Sequence, residues 1–491
     1  MAHTQPSAFT RFSEHESAML RRPLTLTFAI ALLGLALLGS RSVAAQEAGS
    51  SPPPERPSTD VRRFEEDWSQ ARHFAASDFW DPAKFVPLDS DGDYALGFGG
   101  DLRLRGEVWS AYGFGSAAEN DDVYGLSRVR LHANAQLSEY FRLFVEGKSA
   151  LATERLLAGQ TLSRDVDALD LQNLFADLIL PLWTDAELRL RIGFQELSMG
   201  SERLLSPDDW SNSRRTFDGL SFNGDLEVLR FELFCGYLVP VTKYGLNKTD
   251  TEDTLCSAAV NTELGKHSLL GFWLWREQEV PLASERVKEV RQTFGLELAG
   301  PLPSGFDAFL MGAAQVGKRG DVDVRAGHFA AELSLRTEHE LHPHLAAGVE
   351  FASGDLDPLD DTAQTADALF PTSRHFLGLV GAVGRQNVVA LRLSSALEPL
   401  EGLVLGLDGF VFHLARPLDA LYDDDLGAVR LPQRGGASYV GSELDAVARY
   451  QMDRHASFIA AYAHVFAGDF VAQTGVSGDV DFAMFQYSYV W

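Results

Sequence analysis

Arg203, Arg214 and Arg215 share one stretch, FQELSMGSERLLSPDDWSNSRRTFDG (residues 194–219), with Asn212 and Asp218 beside them. A guanidinium is planar, permanently charged and carries paired N–H donors. It therefore grips a carboxylate through two charge-assisted hydrogen bonds, where an ammonium acts as a point charge. The whole chain leans toward that chemistry, since only seven of its 42 basic residues are lysines. Asn212 and Asp218 suit the task of orienting these arginines or contacting hydroxyl groups. The same residues also suit a salt-bridge staple, in which Arg214, Arg215 and Asp218 simply hold the stretch in place. No other spacing suggests catalysis or metal binding. The 13 histidines include no His-x-x-x-His pair, and there is no nucleophile elbow or Gly-rich phosphate loop. Neither an enzymatic activity nor a cofactor is expected.

The stretch begins and ends as strand. Before it, Leu188, Leu190, Ile192 and Phe194 alternate with Arg189, Arg191, Gly193 and Gln195. Val129, Leu131, Ala133 and Ala135 alternate in the same way with Arg128, Arg130, His132 and Asn134. Period-two patterning dominates from Ala95 to the end, which marks strands with one apolar and one polar face. Short turns near 138, 182, 224, 264, 300, 337, 397 and 452 alternate with mostly longer connections. Those fall roughly at 111–124, 151–167, 199–214, 240–254, 278–287, 318–323, 353–386, 416–438 and 468–479.

Eight turns and nine loops join 18 strands, with 374–384 left inside the seventh loop. The fold class predicted is all-β: an antiparallel transmembrane β-barrel with short periplasmic turns and long extracellular loops. The last strand, 481–491, puts Phe485, Tyr487, Tyr489 and Trp491 on one face and ends the chain on an aromatic. Lipid cannot solvate the polar face, so that face lines the lumen. Arg103, Arg105, Arg128, Arg130, Arg189, Arg191, Arg291, Arg336 and Arg449 then point inward, opposed by Asp101, Glu107, Glu289, Glu297, Glu332, Glu443 and Asp445. The expected wall is a mixed lining, for which solvated, paired charge is the plain reading.

Ahead of the barrel, residues 1–45 read as a signal peptide: Arg21-Arg22, an apolar run from Leu24 to Leu38, and a small-residue cleavage site at Val43-Ala44-Ala45. Translation starting at Met19 fits the same pattern. A Pro/Ser-rich tether follows at 46–60, then a pre-barrel segment at 61–94 with a short helix expected around Phe64–Phe74. The remainder contains no apolar run long enough for a spanning helix. A formal charge of −27 argues against a nucleic-acid partner. Acidic clusters in the long loops, such as 355–361 and 423–425, read as solvated surface charge ahead of calcium sites. Cys235 and Cys256 are the only cysteines and share the presumed lipid face of neighbouring strands. An oxidising envelope permits a disulfide between them, while adjacent-strand geometry often strains one, so both states stay open.

From 62 onward the residues resemble the alginate-export outer-membrane barrels. The resemblance rests on "DPAKFVPL", "GGDLRLRGE", "LDLQNLFADL", "RIGFQELSMGSERL", "SRRTFDGLSF", "SGDLD", "LFPTSRHFLGL" and "AHVFAGDFV", with "QELSMGSERL…RRTFDG" the most specific. It implies an 18-stranded channel in the bacterial outer membrane, held in outer-membrane lipid and working with periplasmic export partners, through which an anionic polysaccharide leaves the cell. It also implies that the third loop folds inward and narrows the pore. Arg105, Arg130, Arg191, Arg203, Asn212, Arg214, Arg215 and Asp218 are then the residues expected to line the path. Two other classes remain beside this one: a porin for small anions or oligosaccharides, and a surface barrel without transport.

Overall fold

The computed structural model describes residues 57, 59–69, 71, 78–90 and 94–491, apart from 158, 184–185, 283–284, 304 and 434–435. The expected signal peptide and nearly all of the tether lie outside the described residues. From residue 56 onward the chain is one compact unit.

Its alternating segments form 18 barrel strands. They are β1 (Ala95–Ser110), β2 (Asp122–Ser138), β3 (Phe141–Ala152), β4 (Asp167–Trp183), β5 (Ala186–Gln195) and β6 (Thr216–Leu226). There follow β7 (Leu229–Val239), β8 (Asp250–Leu264), β9 (His267–Leu282), β10 (Glu285–Pro301), β11 (Phe306–Arg319) and β12 (Val322–Arg336). The last six are β13 (His344–Ala352), β14 (Val388–Leu400), β15 (Leu403–Leu414), β16 (Tyr439–Gln451), β17 (Ala456–Ala467) and β18 (Val480–Val490). Each pairs antiparallel with its successor, and β18 returns to β1 with Arg105 opposite Gln486. Closure leaves no unpaired sheet edge, which is the condition for a sheet to cross lipid.

The barrel is apolar outside and charged inside. On β1, Asp101, Arg103, Arg105, Glu107 and Trp109 are buried, while Leu104 and Val108 between them are exposed. Leu220, Leu296, Leu391, Leu393 and Phe485 continue the exposed apolar face around the wall. Gln486 and Met484 on β18 point inward, so the last strand keeps the expected aromatic face outward.

Two expectations need correction. The fifth and sixth connections are not long loops: β9 runs to Leu282 before β10 begins at Glu285, and β11 runs to Arg319 before β12 begins at Val322. Charged residues in and beside these connections pair across the ladder, Lys288 with Glu277, Arg286 with Glu279 at 3.2 Å and Lys318 with Asp323 at 2.6 Å. Cross-strand ion pairs of this kind let a strand continue into water. Of the helix expected around Phe64–Phe74, the described residues show a 3₁₀ turn at Arg63–Glu65 with Glu66 already extended, while residues 70 and 72–74 lie outside the described residues.

The barrel interior is a packed core at the loop end. Leu377, Leu379, Val380 and Val383 of the seventh loop and Phe470 and Val471 of the ninth pack against Trp109, Phe412 and Phe482 on the wall. A second cluster joins Leu197, Leu204 and Leu205 of the third loop to Leu369 and Phe370 of the seventh, over Phe217, Phe234, Leu255, Leu270 and Leu274. These apolar side chains supply the drive that folds both loops inward.

A candidate constriction inside the barrel

The third loop spans 196–215 and alternates apolar anchors with polar groups, so burying Leu197, Leu204 and Leu205 turns its charges onto the lumen wall. Loops three and seven meet backbone to backbone. Ser206 N donates to Phe370 O at 2.8 Å, Phe370 N to Leu204 O at 3.0 Å, and Thr372 N to Glu202 O at 3.0 Å. Leu205 and Phe370 form an isolated parallel bridge at this contact, so the two loops meet inside the barrel.

Wall arginines hold the far side of the third loop. Arg103 donates to the carbonyls of Asp209 and Ser211 at 2.5 and 2.7 Å. Arg128 reaches the Asp209 carboxylate at 2.8 Å, and the ring of Trp210 lies under Arg105 at 4.4 Å. Arg130 binds Asp101 at 2.7 Å and lies 3.5 Å from Glu146. Asn212 donates to the carbonyls of Ser127, Leu151 and Asp165 at 2.9–3.1 Å, which pins the loop to β2, β3 and the second loop. It accepts from Arg103 only at 3.4 Å, so it anchors the loop more than it orients an arginine.

The three loop arginines have different surroundings. Arg214, 1% exposed, meets Glu196 at 2.7 Å and Asp209 at 3.2 Å. Arg203 forks onto Glu350 at 2.7 Å, with the ring of Phe376 at 3.6 Å from its guanidinium carbon. Arg215 donates to Pro371 O at 2.6 Å and Ser206 O at 3.1 Å, and its side chain remains 25% exposed. Among the three, Arg215 has the most exposed side chain, with the Asp208 carboxylate at 3.6 Å. Arg203 and Arg214 act as staples that hold the third loop against the wall.

Asp218 does not join this group. It shares a face with the exposed Leu220, and its carboxylate accepts from Thr249 of the fourth loop at 2.7 Å. The reason is parity: Phe217, Gly219 and Ser221 take the inward positions on β6, so Asp218 points out. Arg191 lies nearer the turn end, bound to Asp177 at 2.8 Å and set against Phe175 and Phe64 at 3.8 and 4.5 Å. Arg336 and Arg449 are exposed near the turns. Cys235 and Cys256 oppose each other directly on β7 and β8, and their sulfurs are joined.

Several members of the site escaped the sequence reading. Arg142, Glu146 and Lys148 alternate with Leu143 and Val145 and were open to detection by the period-two rule. Glu196, Trp210, Arg374 and Arg385 lie in loops, where no periodicity marks a direction. Arg385 shares Glu350 with Arg203, while Arg374 binds Asp424 of the eighth loop at 3.0 Å. Arg164 of the second loop also reaches Asp424 and Asp425, at 3.3 and 2.7 Å, so loops two, seven and eight are knitted together. Burial, and next the charge of Asp424, pushes the neighbouring Asp423 carboxyl up to about 6. Gly378 (φ +86°) brings the seventh loop so close to the wall that a Cβ there would lie 2.4 Å from the Glu443 carboxylate. The backbone amides of Leu379 and Val380 donate to Asp445 and Glu443 at 3.1 and 2.9 Å.

Solved structures share the barrel. Over 80% of this chain and 97% of the other, it is similar to Pseudomonas aeruginosa OccK2 (OpdF) in complex with glucuronate, with a TM-score of 0.52 and 15% identity. OccD3 (OpdP) of the same organism gives a TM-score of 0.52 and 10% identity over 90% of this chain and 99% of that one. At such identities the likeness shows the fold. No curated sequence matches the chain. The profile described as "Alginate export" matches residues 94–482, the whole barrel but its last nine residues. A closed barrel of 18 strands, apolar outside and charged within, carries that match, and the chain belongs to the alginate export family of bacterial outer-membrane channels.

Proposed function

We propose that this barrel passes an anionic, uronate-rich polysaccharide outward across the outer membrane, through the arginine-lined constriction between its third and seventh loops. The observation that carries this reading is the placing of guanidiniums on one side of the lumen. Arg142 and Arg191 lie toward the turn end, Arg130 and Arg128 follow on β2, then Arg103 and Arg105 on β1, with Arg374 above them. A polyuronate repeats a carboxylate at every sugar, so a series of forked donors lets it exchange one partner for the next with no deep trap. Many weak sites in sequence are what conduction requires. Each wall arginine keeps a carboxylate or carbonyl partner, which holds the attraction moderate. No chemical step is involved, and proteins at the turn end would deliver the polymer.

A second reading is uptake of small uronates or oligosaccharides. Two observations favour it: the inward-packed third and seventh loops, and the likeness to OccK2, whose structure contains glucuronate. The two readings separate in a planar bilayer. Export of polymer predicts that polyuronate applied from the turn end reduces ion current at concentrations where equal amounts of free glucuronate leave it unchanged. Block by glucuronate alone would favour the small-solute porin.

A further inference from the structure

The pre-barrel chain does not hang outside the barrel. Phe64 is 2% exposed and its ring meets Phe144 and Phe175, on β3 and β4, edge-on at 5.8 and 5.2 Å. Arg63 fixes the same segment at the barrel seam, donating to Gly100 O and to Trp491 O at 3.0 Å each. Two wall or loop guanidiniums then spend donors on this segment's backbone. Arg142 Nη1 donates to Phe64 O at 3.0 Å, and Arg214 Nη1 to Val61 O at 2.8 Å. Carbonyl oxygens of the segment thus sit where oxygens of an anionic ligand would bind.

From this geometry we infer that residues 60–68 form a strap that occupies the lumen below the constriction and competes with anionic cargo for Arg214 and Arg142. The inference rests on the proposed passage of a polyuronate. The strap carries its own charge balance, because Arg63 is paired with Glu66 at 2.6 Å inside the segment. It can therefore leave the lumen without stranding a buried Arg63, which is the usual penalty for breaking such a pair. Its departure frees one N–H of Arg214 Nη1, whose other N–H still donates to Asp209 at 3.2 Å, beside an Nη2 that makes no hydrogen bond among the described residues. Two adjacent donors on one guanidinium are the fork that a carboxylate takes. Glu196 and Asp209 stay behind and keep Arg214 aimed. Val61, Glu65 and Asp67 are exposed, so the strap is anchored at a few points along one side.

The test compares the full mature chain with a variant lacking residues 57–69 and with Phe64→Ala, each in planar bilayers and each checked for heat-modifiable barrel. The strap predicts that ion conductance rises at least twofold in the deletion and that polyuronate blocks at several-fold lower concentration, with Phe64→Ala intermediate. A synthetic peptide of residues 57–69, added at the turn end, should restore the lower conductance of the deletion. Unchanged conductance in both folded variants, or a peptide without effect on the deletion, overturns the strap. Raised conductance restored by the peptide, with no polyuronate block in any form, supports the strap and removes the polysaccharide reading instead.

Discussion

Glu350 on β13 accepts both Nε and Nη2 of Arg203, at 3.0 and 2.7 Å, and its other oxygen takes the Arg385 guanidinium. One wall carboxylate thereby ties the third loop to the seventh, with the Phe376 ring packed against both arginines. All three charged side chains are buried. Glu350→Gln leaves two guanidiniums without their counter-ion, a change that costs about 3–5 kcal/mol for a buried pair. The closed ladder does not depend on it, so the barrel should still assemble. Hydrogen exchange should accelerate in 197–206 and 369–385 while β13 itself stays protected. Uniform acceleration across the wall would show that the loops and barrel open as one.

Proteolysis of intact cells reads the orientation and the loop packing together. Polar exposed tips are the preferred nicking sites. In the seventh loop the tip at 356–361 is the longest exposed run, whereas Ala366, Ala368, Leu369 and Phe370 are buried. Cleavage at 355–361 and near Leu431 of the eighth loop is expected, with 366–385 and the turn at 401–402 spared. Cuts confined to the short turns would reverse the orientation.

The eighth loop should respond to pH. The Asp423 carboxyl, raised by burial and by Asp424, stands at about 6 and accepts the amides of Asp425 and Gly427 at 3.1 and 3.0 Å. A carboxyl raised in the folded state binds its proton more tightly there than in the open loop. Stability is therefore gained as pH falls from about 7 through 6, and the gain is complete below the ordinary aspartate value of about 4. Burial alone would raise Asp424 as well, but Arg164 and Arg374 hold it below its usual value, so it keeps its charge in that window. Protection factors for 421–430 should increase between pH 7.5 and 5, and Asp423→Asn should flatten that change.

The strand pattern was legible in the sequence because a barrel wall enforces period two at every residue, as Arg128 and Arg130 against Val129 and Leu131 show. Lipid outside and charge inside make the alternation strong. Asp218 was grouped with the loop arginines, but the strand begins at Thr216 and its parity turns Asp218 outward. Residues 278–287 were read as a loop, although cross-strand pairing makes 278–282 and 285–287 strand. The third-loop arginines were found, but their division into two staples and one open group depends on contacts with Glu350, Glu196 and Pro371, far away in sequence. The strap was invisible for the same reason: Phe64 and Phe175 meet across more than a hundred residues.

Cys235 and Cys256 oppose each other on the outward face, next to the exposed Leu220 and Tyr237. A maleimide reagent should label neither residue in SDS-denatured protein until a reductant is added. Because the ladder already orders these strands, replacing both with Ser should leave assembly intact. The loss should stay below the roughly 3 kcal/mol that closing a loop of this length contributes in an unfolded chain. Labelling without reductant would show two free thiols.

Arg215 offers the sharpest test of the proposed constriction, since its side chain is the most exposed of the three loop arginines and sits where the third and seventh loops meet. Arg215→Glu moves two charges at that point and should shift reversal potentials toward cation selectivity. Arg449→Glu, on the exposed wall near the turns, makes the same change in wider, better screened surroundings. At physiological salt the screening length is about 8 Å, so only charges bordering a narrow passage act strongly on a passing ion. The Arg215 effect should therefore exceed the Arg449 effect severalfold at physiological salt, and the gap should widen as salt is lowered. Arg214→Glu is a poor substitute, because it reverses a buried staple beside Glu196 and would dislodge the loop. Equal, small shifts from Arg215→Glu and Arg449→Glu would mean that ions pass elsewhere and that all three loop arginines serve only to hold the loops.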